Sequence, residues 1–155
     1  MPDAVHQLLA WLLTTALNEL LVDGKKGVAI PAPFKLKVPG RKWREPDVSY
    51  LLPRNLHRYQ KQWWDYADLA IEVVSEDDPN RDYVQKRAEY AALGVGEYWI
   101  VDPSEQAIRV LVLDAGSYKE IQVARRGDTA SSVIVPGFRV EVEALFARAQ
   151  AHERQ

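Results

Sequence analysis

Three charged residues in the middle of this chain have the types and spacing that divalent-metal chemistry requires. Asp47 follows Pro46, Glu72 lies 25 residues further on in an apolar run, and Lys86 comes shortly after it. Carboxylates are preferred ligands of Mg²⁺, and a bound divalent cation activates water and neutralises charge that develops on a phosphate. A lysine ammonium group can orient that water or bind the phosphate. These residues are therefore suited to hydrolysis of a phosphodiester bond.

The two acids are expected at the ends of short strands. One strand is predicted over 47–52, directly after a proline that favours an extended entry. The second is predicted over 68–75, and its alternation places Asp68 and Glu72 on the same side. A carboxylate is seldom buried in an apolar strand without a partner, which favours a metal ligand. Two alternatives stay open: Asp47 as a surface acid, and Glu72 in a salt bridge with a basic neighbour.

Three further side chains could complete such a site. Asp68 could be a distant ligand or could support one indirectly, and capping the start of its strand is an equal alternative. Ser75 could contribute a hydroxyl group beside the second acid. Glu19, in a first helix, could supply a third carboxylate, with a solvated helix flank as the alternative.

The remainder of the chain has the pattern of helices that cover a mixed sheet. Apolar residues recur at helical spacing from Asp3 to about Val22, with Asp3 as the N-cap and Gly24 as the stop. An extended segment over 28–38 is interrupted by two prolines, which suits a sheet edge or a broken strand. Further strands are predicted near 97–102, 107–113 and 118–124, with a short strand over 132–135 and helices over 78–93 and 142–149. This order predicts an α/β (α+β) fold that forms a single domain over 1–155.

Two stretches of the chain carry a family resemblance. One is Pro46-Asp47, and the other runs from Asp68 to Pro103 and contains Gly94-Val95-Gly96-Glu97-Tyr98-Trp99-Ile100-Val101-Asp102-Pro103. The arrangement resembles the PD-(D/E)XK nuclease superfamily, and more narrowly the Uma-two family of restriction endonucleases. The resemblance implies a restriction endonuclease-like fold and a DNA endonuclease that depends on Mg²⁺ or Mn²⁺. It also implies that Asp47 and Glu72 are catalytic metal ligands.

One position departs from the superfamily pattern. The E-X-K motif would place a lysine at position 74, where this chain has Val74. In the family that the chain resembles, a lysine on the following helix is thought to substitute, which implies Lys86 as the third catalytic residue. The alternative is a simple i, i+4 ion pair between Lys86 and Asp82.

Basic residues are concentrated in one part of the sequence. Residues 25–61 contain ten Lys or Arg and two acids, although the whole chain has a net charge of −2. Such a strip is the electrostatic footprint expected for a phosphate backbone, and a solvated loop surface is the alternative. Aromatic residues at 59, 63 and 64 would suit stacking on unpaired bases, or would be buried in a folded loop. The residues predicted to contact nucleic acid are Arg41, Lys42, Arg44, Arg58 and Lys61.

Composition narrows the cellular setting. The chain has no cysteine, which excludes a disulfide framework and a thiolate zinc site and favours a reducing cytoplasm. The apolar stretch from Leu8 to Leu17 is too short to span a bilayer, so no membrane partner is expected. A homodimer is expected. Members of the resembled family generally carry a small strand before the first helix. Here the first helix begins almost at Met1, so an exposed sheet edge or an altered dimer is also expected.

Two rival functions remain compatible with the sequence. The first is a catalytically inactive nucleic-acid-binding or protein-interaction module of the same fold, which Val74 and the small net charge suggest. The second is a structural dimer that uses the Trp63-Trp64 loop. Dependence on a divalent cation would separate an enzyme from either of them.

Overall fold

The computed structural model describes residues 3–153, in which three α-helices accompany many short strands. No helix within this part of the chain has the length and apolar character needed to cross a membrane. In chain order the elements are α1 (Ala4–Glu19), β1 (Leu21–Val22), β2 (Lys25–Lys26), β3 (Val28–Pro31), β4 (Lys35–Val38), β5 (Lys42–Arg44), β6 (Val48–Leu51), a 3-10 helix (Pro53–Arg58), β7 (Trp63–Trp64), β8 (Leu69–Val73), a π-helical segment (Arg81–Lys86), α2 (Arg87–Leu93), β9 (Glu97–Asp102), β10 (Ala107–Asp114), β11 (Ser117–Ala124), β12 (Thr129–Ser131), β13 (Arg139–Glu141) and α3 (Val142–Gln150).

Six strands form a mixed sheet in the order β11-β10-β9-β8-β6-β3. Strands β8 and β9 are parallel, whereas the other neighbours are antiparallel. A parallel pair needs a crossover connection, and α2 lies in the one that joins β8 to β9. In the β6–β8 pair Val48 lies opposite Ile71, which brings the start of β6 to the end of β8. The predicted α/β (α+β) class, a mixed sheet flanked by helices, is confirmed.

Apolar side chains cover both faces of this sheet. On one face α1 and α3 contribute buried residues such as Leu13 and Phe146. On the other face lie α2 and a small three-stranded sheet, β5-β4-β7, with buried Trp64 and Tyr98. Burial of each large apolar side chain contributes about 1.5–3 kcal/mol. The central strand β8 is therefore held firmly between two apolar layers.

The first helix is shorter than its apolar periodicity predicts. Asp3 is the N-cap, as predicted, and its carboxylate accepts a hydrogen bond from the His6 amide at 2.8 Å. The helix ends at Glu19, and Asp23 and Gly24, with φ of 52° and 76°, turn β1 into β2. Two successive residues with positive φ form the tight turn that hairpins favour. Local turn chemistry therefore ends the helix before the apolar pattern does.

The proline-rich segment over 28–38 is divided as its sequence predicts. Its first part is the edge strand β3 of the main sheet, and its second part is β4 of the small sheet. Strands β5, β7 and β13 were not predicted, because two or three residues are too few to show an alternating pattern. The short strand predicted over 132–135 is not formed there. Strand β12 instead covers Thr129–Ser131 and pairs with β13. The helix predicted over 78–93 is present as the π-helical segment followed by α2, and Gly94 ends it with φ of 88°.

Candidate functional site

Asp47 lies immediately before β6 and links that strand to β8. Its Oδ2 atom accepts a hydrogen bond from the Val73 amide at 2.7 Å. Val48 of β6 pairs with Ile71 of β8. One residue further along this antiparallel register, Asp47 lies opposite Glu72. The Asp47 side chain is 14% exposed, so it can be reached from solvent. The two predicted acids therefore lie at the same end of the sheet on neighbouring strands.

Glu72 is buried between the sheet and the helical segment that follows β8. Its exposed fraction is 1%. The Tyr90 hydroxyl donates a hydrogen bond to Glu72 Oε1 at 2.5 Å, and Lys86 Nζ lies 2.9 Å from Glu72 Oε2. Ala70 and Val74, two residues away on either side, pack on the α2 side of the sheet, in agreement with the predicted alternation. Both carboxylate oxygens are thus held by defined donors.

Lys86 contacts two acids at once. Its Nζ atom lies 2.9 Å from Glu72 Oε2 and 2.8 Å from Asp82 Oδ1. Asp82 is buried as well, so this i, i+4 contact is not an ordinary surface ion pair. The segment Arg81–Lys86 is π-helical, a wide turn that occurs frequently at functional sites. The predicted i, i+4 contact with Asp82 is therefore present together with a contact to Glu72, and the catalytic role of Lys86 stays a prediction.

The electrostatics of this cluster are dominated by an excess of carboxyl groups. Burial raises the pKa of Glu72 to about 8, the charge on Lys86 opposes this shift, and Asp47 and Asp82 reinforce it. Burial would lower the pKa of Lys86, but Glu72 and Asp82 outweigh it and raise that pKa above its usual value. The pKa of Asp82 is also raised, chiefly by burial. Lys86 thus faces two buried acids, with Asp47 close by, and a bound cation would lower the cost of ionising these carboxyl groups.

The donor set suits a hard divalent cation that is also bound by substrate. Mg²⁺ is commonly held by one or two carboxylates together with waters and substrate phosphates. Asp47 and Glu72 supply two carboxylates. Within residues 3–153 no three His, Cys, Asp or Glu side chains form a ready-made metal cluster. Further ligands would have to come from water and phosphate.

His6 of α1 lies at this site, although it was not among the residues predicted from the sequence. Its Nε2 atom is 3.3 Å from Asp47 Oδ2 and 3.1 Å from the Val73 carbonyl oxygen. The hydrogen bond with Asp47 raises the pKa of His6 above its usual value, while burial acts in the opposite direction. The sequence signal for His6 is weak, because a single histidine in a first helical turn has no ligand spacing. Tyr90 was not selected, and Asp82 was considered only as the i, i+4 partner of Lys86, because both look like ordinary positions of an amphipathic helix.

Asp68 lies at the opposite end of β8 from the cluster. Four residues at about 3.3 Å each separate it from Glu72 by roughly 13 Å. Its carboxylate accepts hydrogen bonds from the Leu52 amide at 2.7 Å and from the side chains of Asn55 and Tyr66, each at 2.8 Å. These contacts hold the loop that leads into β8, which corresponds to the strand-capping alternative.

The other two candidates, Glu19 and Ser75, lie at different distances from the site. Glu19 is the exposed last residue of α1, and thirteen helical residues at about 1.5 Å each place it roughly 20 Å from His6 along the axis. It is therefore far from Asp47. Ser75 follows β8, accepts a hydrogen bond from the Asp77 amide at 3.3 Å, and lines a cavity of about 100 Å³ together with His6. Ser75 thus lies beside the site, whereas Glu19 does not.

The basic residues predicted to contact nucleic acid fall into two groups. Arg44 forms a bidentate ion pair with Glu89 of α2, with distances of 2.5 and 2.7 Å, on the side of the small sheet that faces the site. Arg58 stacks on the Tyr66 ring at 4.0 Å. Both therefore have partners within the protein. Arg58 is nevertheless exposed, as are Arg41, Lys42 and Lys61, whereas Arg44 is half-buried.

A groove beside α1 leads to Asp47. It has a volume of about 510 Å³, within the range common for ligand sites. Its walls include His6, Pro33, Glu45 and the exposed Trp11. Substrate could approach Asp47 through this groove, with Glu72 behind it in the protein.

The raised pKa of Glu72 predicts that the metal-free protein loses stability as pH rises. The pKa of Glu72 is about 8 in the folded protein, against 4.5 as its ordinary value. Between these values the folded state retains a proton that the unfolded state has released, so the free energy of unfolding falls with pH and levels off above about pH 8. Thermal unfolding in EDTA, followed by circular dichroism, should show a melting temperature that decreases from about pH 5 to pH 8.

Glu72→Gln is the matched control for this pH dependence. The variant has no ionisable group at the position and should lose most of the slope. A wild-type melting temperature that rises over the same range would contradict the prediction.

Comparison with known proteins identifies the family and the fold of the chain. The chain matches the Uma2 family model, described as "Putative restriction endonuclease", over residues 1–143. Among solved structures it is similar to the crystal structure of a "putative nuclease belonging to DUF820" from Anabaena variabilis ATCC 29413, with 17% sequence identity and a TM-score of 0.77 over 96% of this chain and 84% of that chain. No curated protein matches the chain significantly. The structural likeness shows a shared fold, and the family match covers most of the sequence. As the sequence resemblance implied, the chain belongs to the Uma2 family.

Proposed function

We propose that this protein is a metal-dependent endonuclease that hydrolyses phosphodiester bonds in DNA. The observation that carries the proposal is the cluster at the end of β8, where Lys86 Nζ lies 2.9 Å from buried Glu72 and Asp47 stands opposite on the neighbouring strand. Family membership supports a nuclease. The dependence on Mg²⁺ or Mn²⁺ and the choice of DNA are the finer parts of the proposal.

Each residue of the cluster has a distinct task in this proposal. Asp47 and Glu72 would hold the cation, which when bound polarises the phosphate and activates water. Lys86 retains its ammonium charge beside Glu72 and Asp82, and it orients the attacking water or stabilises negative charge on the phosphate. Tyr90 holds one oxygen of Glu72 in place.

Asp47 is positioned by the backbone and by α1. Its Oδ2 atom accepts a hydrogen bond from the Val73 amide, and His6 of α1 contacts the same atom. Because these contacts fix the carboxylate before substrate arrives, little reorganisation is needed on binding. Ser75 lines a cavity together with His6, where its hydroxyl group could donate a hydrogen bond.

The test is cleavage of a supercoiled plasmid and of end-labelled oligonucleotides with Mg²⁺, with Mn²⁺ or with EDTA. We expect cleavage with either metal and none in EDTA. Asp47→Asn retains the shape and the acceptor for the Val73 amide but removes the charge, so it should lower the rate by at least about 10³-fold. Glu19→Gln is the control, because Glu19 is an acid far from the site, and it should cleave like the parent. Equal cleavage by parent and Asp47→Asn, or cleavage in EDTA, would contradict the proposal.

A catalytically inactive binding module is the second candidate, and two specific observations favour it. Glu72 is 1% exposed with both oxygens engaged by protein donors, and position 74 lacks the lysine of the superfamily motif. Such a module would bind DNA without cleavage, and Mg²⁺ would not change its melting temperature. An increase in melting temperature with Mg²⁺ that disappears in Asp47→Asn would argue for the enzyme.

The cellular setting and the assembly state remain predictions of the sequence. The absence of cysteine supports a cytoplasmic location. A homodimer is proposed, and sedimentation velocity would measure it directly.

A further inference from the structure

The outer surface of the small sheet β5-β4-β7 combines lysines with tryptophans. Its central strand β4 alternates strictly: Leu36 is buried while Lys35 and Lys37 are exposed. Cross-strand partners point to the same side of a sheet, and here Lys35 pairs with Trp63 and Lys37 pairs with Trp43. These four residues, Lys35, Lys37, Trp43 and Trp63, form the lysine–tryptophan face.

The two tryptophans are adjacent and partly open to solvent. Their ring centroids are 5.7 Å apart with an interplanar angle of 74°, and Trp43 is 45% exposed. Lys37 Nζ lies 5.6 Å from the centre of the Trp63 ring, and Lys35 Nζ lies 6.0 Å from that of Trp43. Trp64, the neighbour of Trp63 in the chain, is by contrast fully buried. Strand β7 therefore presents Trp63 outward and Trp64 inward.

The two strands β4 and β5 and the turn between them carry charge of a single sign. Residues 35–44 contain five basic residues and no acid. Arg44 pairs across the sheet with buried Leu36 and points to the other side, where Glu89 holds it. The outward lysines have no such carboxylate partner on their own strands. An anionic ligand therefore complements this face.

We propose that the lysine–tryptophan face binds an unpaired nucleic-acid strand, with bases stacked on Trp43 and Trp63 and phosphates on Lys35 and Lys37. The proposal rests on the proposed function, because it names the substrate form that the same protein would take. Aromatic rings beside basic side chains are the general means of binding single strands, since every base has a face that can stack. A lysine over an exposed ring is held weakly, and its flexible stem lets it move to a phosphate when a base takes its place.

The position of the face relative to the site suits a strand that extends to the cleavage point. Trp43 precedes Asp47 by four residues, which span at most about 14 Å of extended chain. That length corresponds to about four nucleotides at roughly 3.4 Å per step. A strand stacked on the face could therefore reach the groove beside Asp47 within a few nucleotides.

The experiment measures binding without cleavage. Fluorescence anisotropy of a labelled oligodeoxythymidine and of a duplex of equal length is recorded in EDTA. Trp43→Ala and Trp63→Ala should each weaken single-strand binding by about 10-fold, Trp43→Phe should retain most of the affinity, and duplex affinity should change by less than about 2-fold. Lys35→Met and Lys37→Met should each reduce the slope of log K against log salt by about 0.7 for the single strand.

Ile121→Ala is the matched control, because Ile121 is 44% exposed but lies on β11, at the far edge of the main sheet, outside both the face and the groove. It should bind the single strand like the parent. Unchanged affinity in both Trp43→Ala and Trp63→Ala would overturn the proposal, as would an equal loss for single strand and duplex. Conversion of a parental dimer into a monomer by Trp43→Ala, seen in sedimentation velocity, would instead make the face an interface between copies.

The binding result can be separated from the outcome for catalysis. If metal-dependent cleavage is absent while Trp43→Ala still weakens binding, the proposal of single-strand binding at the face is supported and the nuclease proposal is wrong. If cleavage requires Asp47 while the tryptophan variants bind normally, the nuclease proposal is supported and the proposal of single-strand binding at the face is wrong.

Discussion

Glu72→Gln is expected to lower the rate of metal-dependent cleavage by at least about 10³-fold while raising the melting temperature of the metal-free protein at about pH 8. The loss of rate follows because a neutral amide is a poor ligand for a hard divalent cation, and the transition state then lacks most of its electrostatic stabilisation. The gain in stability follows because the folded wild-type protein must ionise a carboxyl group whose pKa burial raises to about 8. That ionisation costs on the order of a few kcal/mol.

The surroundings of Glu72 permit this substitution. A glutamine has the same shape, its carbonyl can accept from Tyr90 or Lys86, and Lys86 keeps Asp82 as a charged partner at 2.8 Å. The rates come from single-turnover cleavage, and the melting temperatures from circular dichroism at about pH 5 and pH 8. The variant should gain more stability at the higher pH. A variant that cleaves like the parent, or that is less stable at both pH values, would show that Glu72 is a structural acid.

Lys86→Ala is expected to slow cleavage by at least about 10²-fold with little effect on the affinity for Mg²⁺. The lysine lies 2.9 Å from Glu72 and keeps a raised pKa, so it contributes a fixed positive charge rather than a metal ligand. Loss of one preorganised electrostatic group commonly has an effect of this size. Cleavage is measured at saturating Mg²⁺, and calorimetry measures the affinity for the metal.

Controls for Lys86 separate its charge from its packing. Lys86→Met retains the apolar stem and should be as slow as the alanine variant. Lys119→Ala removes an exposed lysine from β11 and should have no effect. Val74 packs on the same side of β8 as Glu72, so Val74→Lys in the Lys86→Ala background should recover part of the rate. Parental rates for both Lys86 variants would show that Lys86 is a structural partner of Glu72 and Asp82 and not a catalytic residue.

Local patterns in the sequence determined where the principal acids lie along their strands. The apolar alternation of the segment around Glu72 put this residue on one face of a strand, and the structure agrees. The position after a proline put Asp47 at a strand start, and the missing lysine at position 74 directed attention to Lys86. The two strand placements agree with the structure because strand period and proline geometry depend on a few neighbouring residues, whereas the catalytic roles of Asp47, Glu72 and Lys86 stay predictions.

Only the tertiary structure decided which side chains surround those acids. His6 reaches Asp47 because α1 packs on one face of the sheet, and Tyr90 reaches Glu72 because the crossover helix packs on the other. The same packing turns Arg44 toward Glu89 and leaves Trp43 facing solvent. A local pattern states which way a side chain points along its own element, whereas its partner depends on strand order and helix packing between residues far apart in the chain.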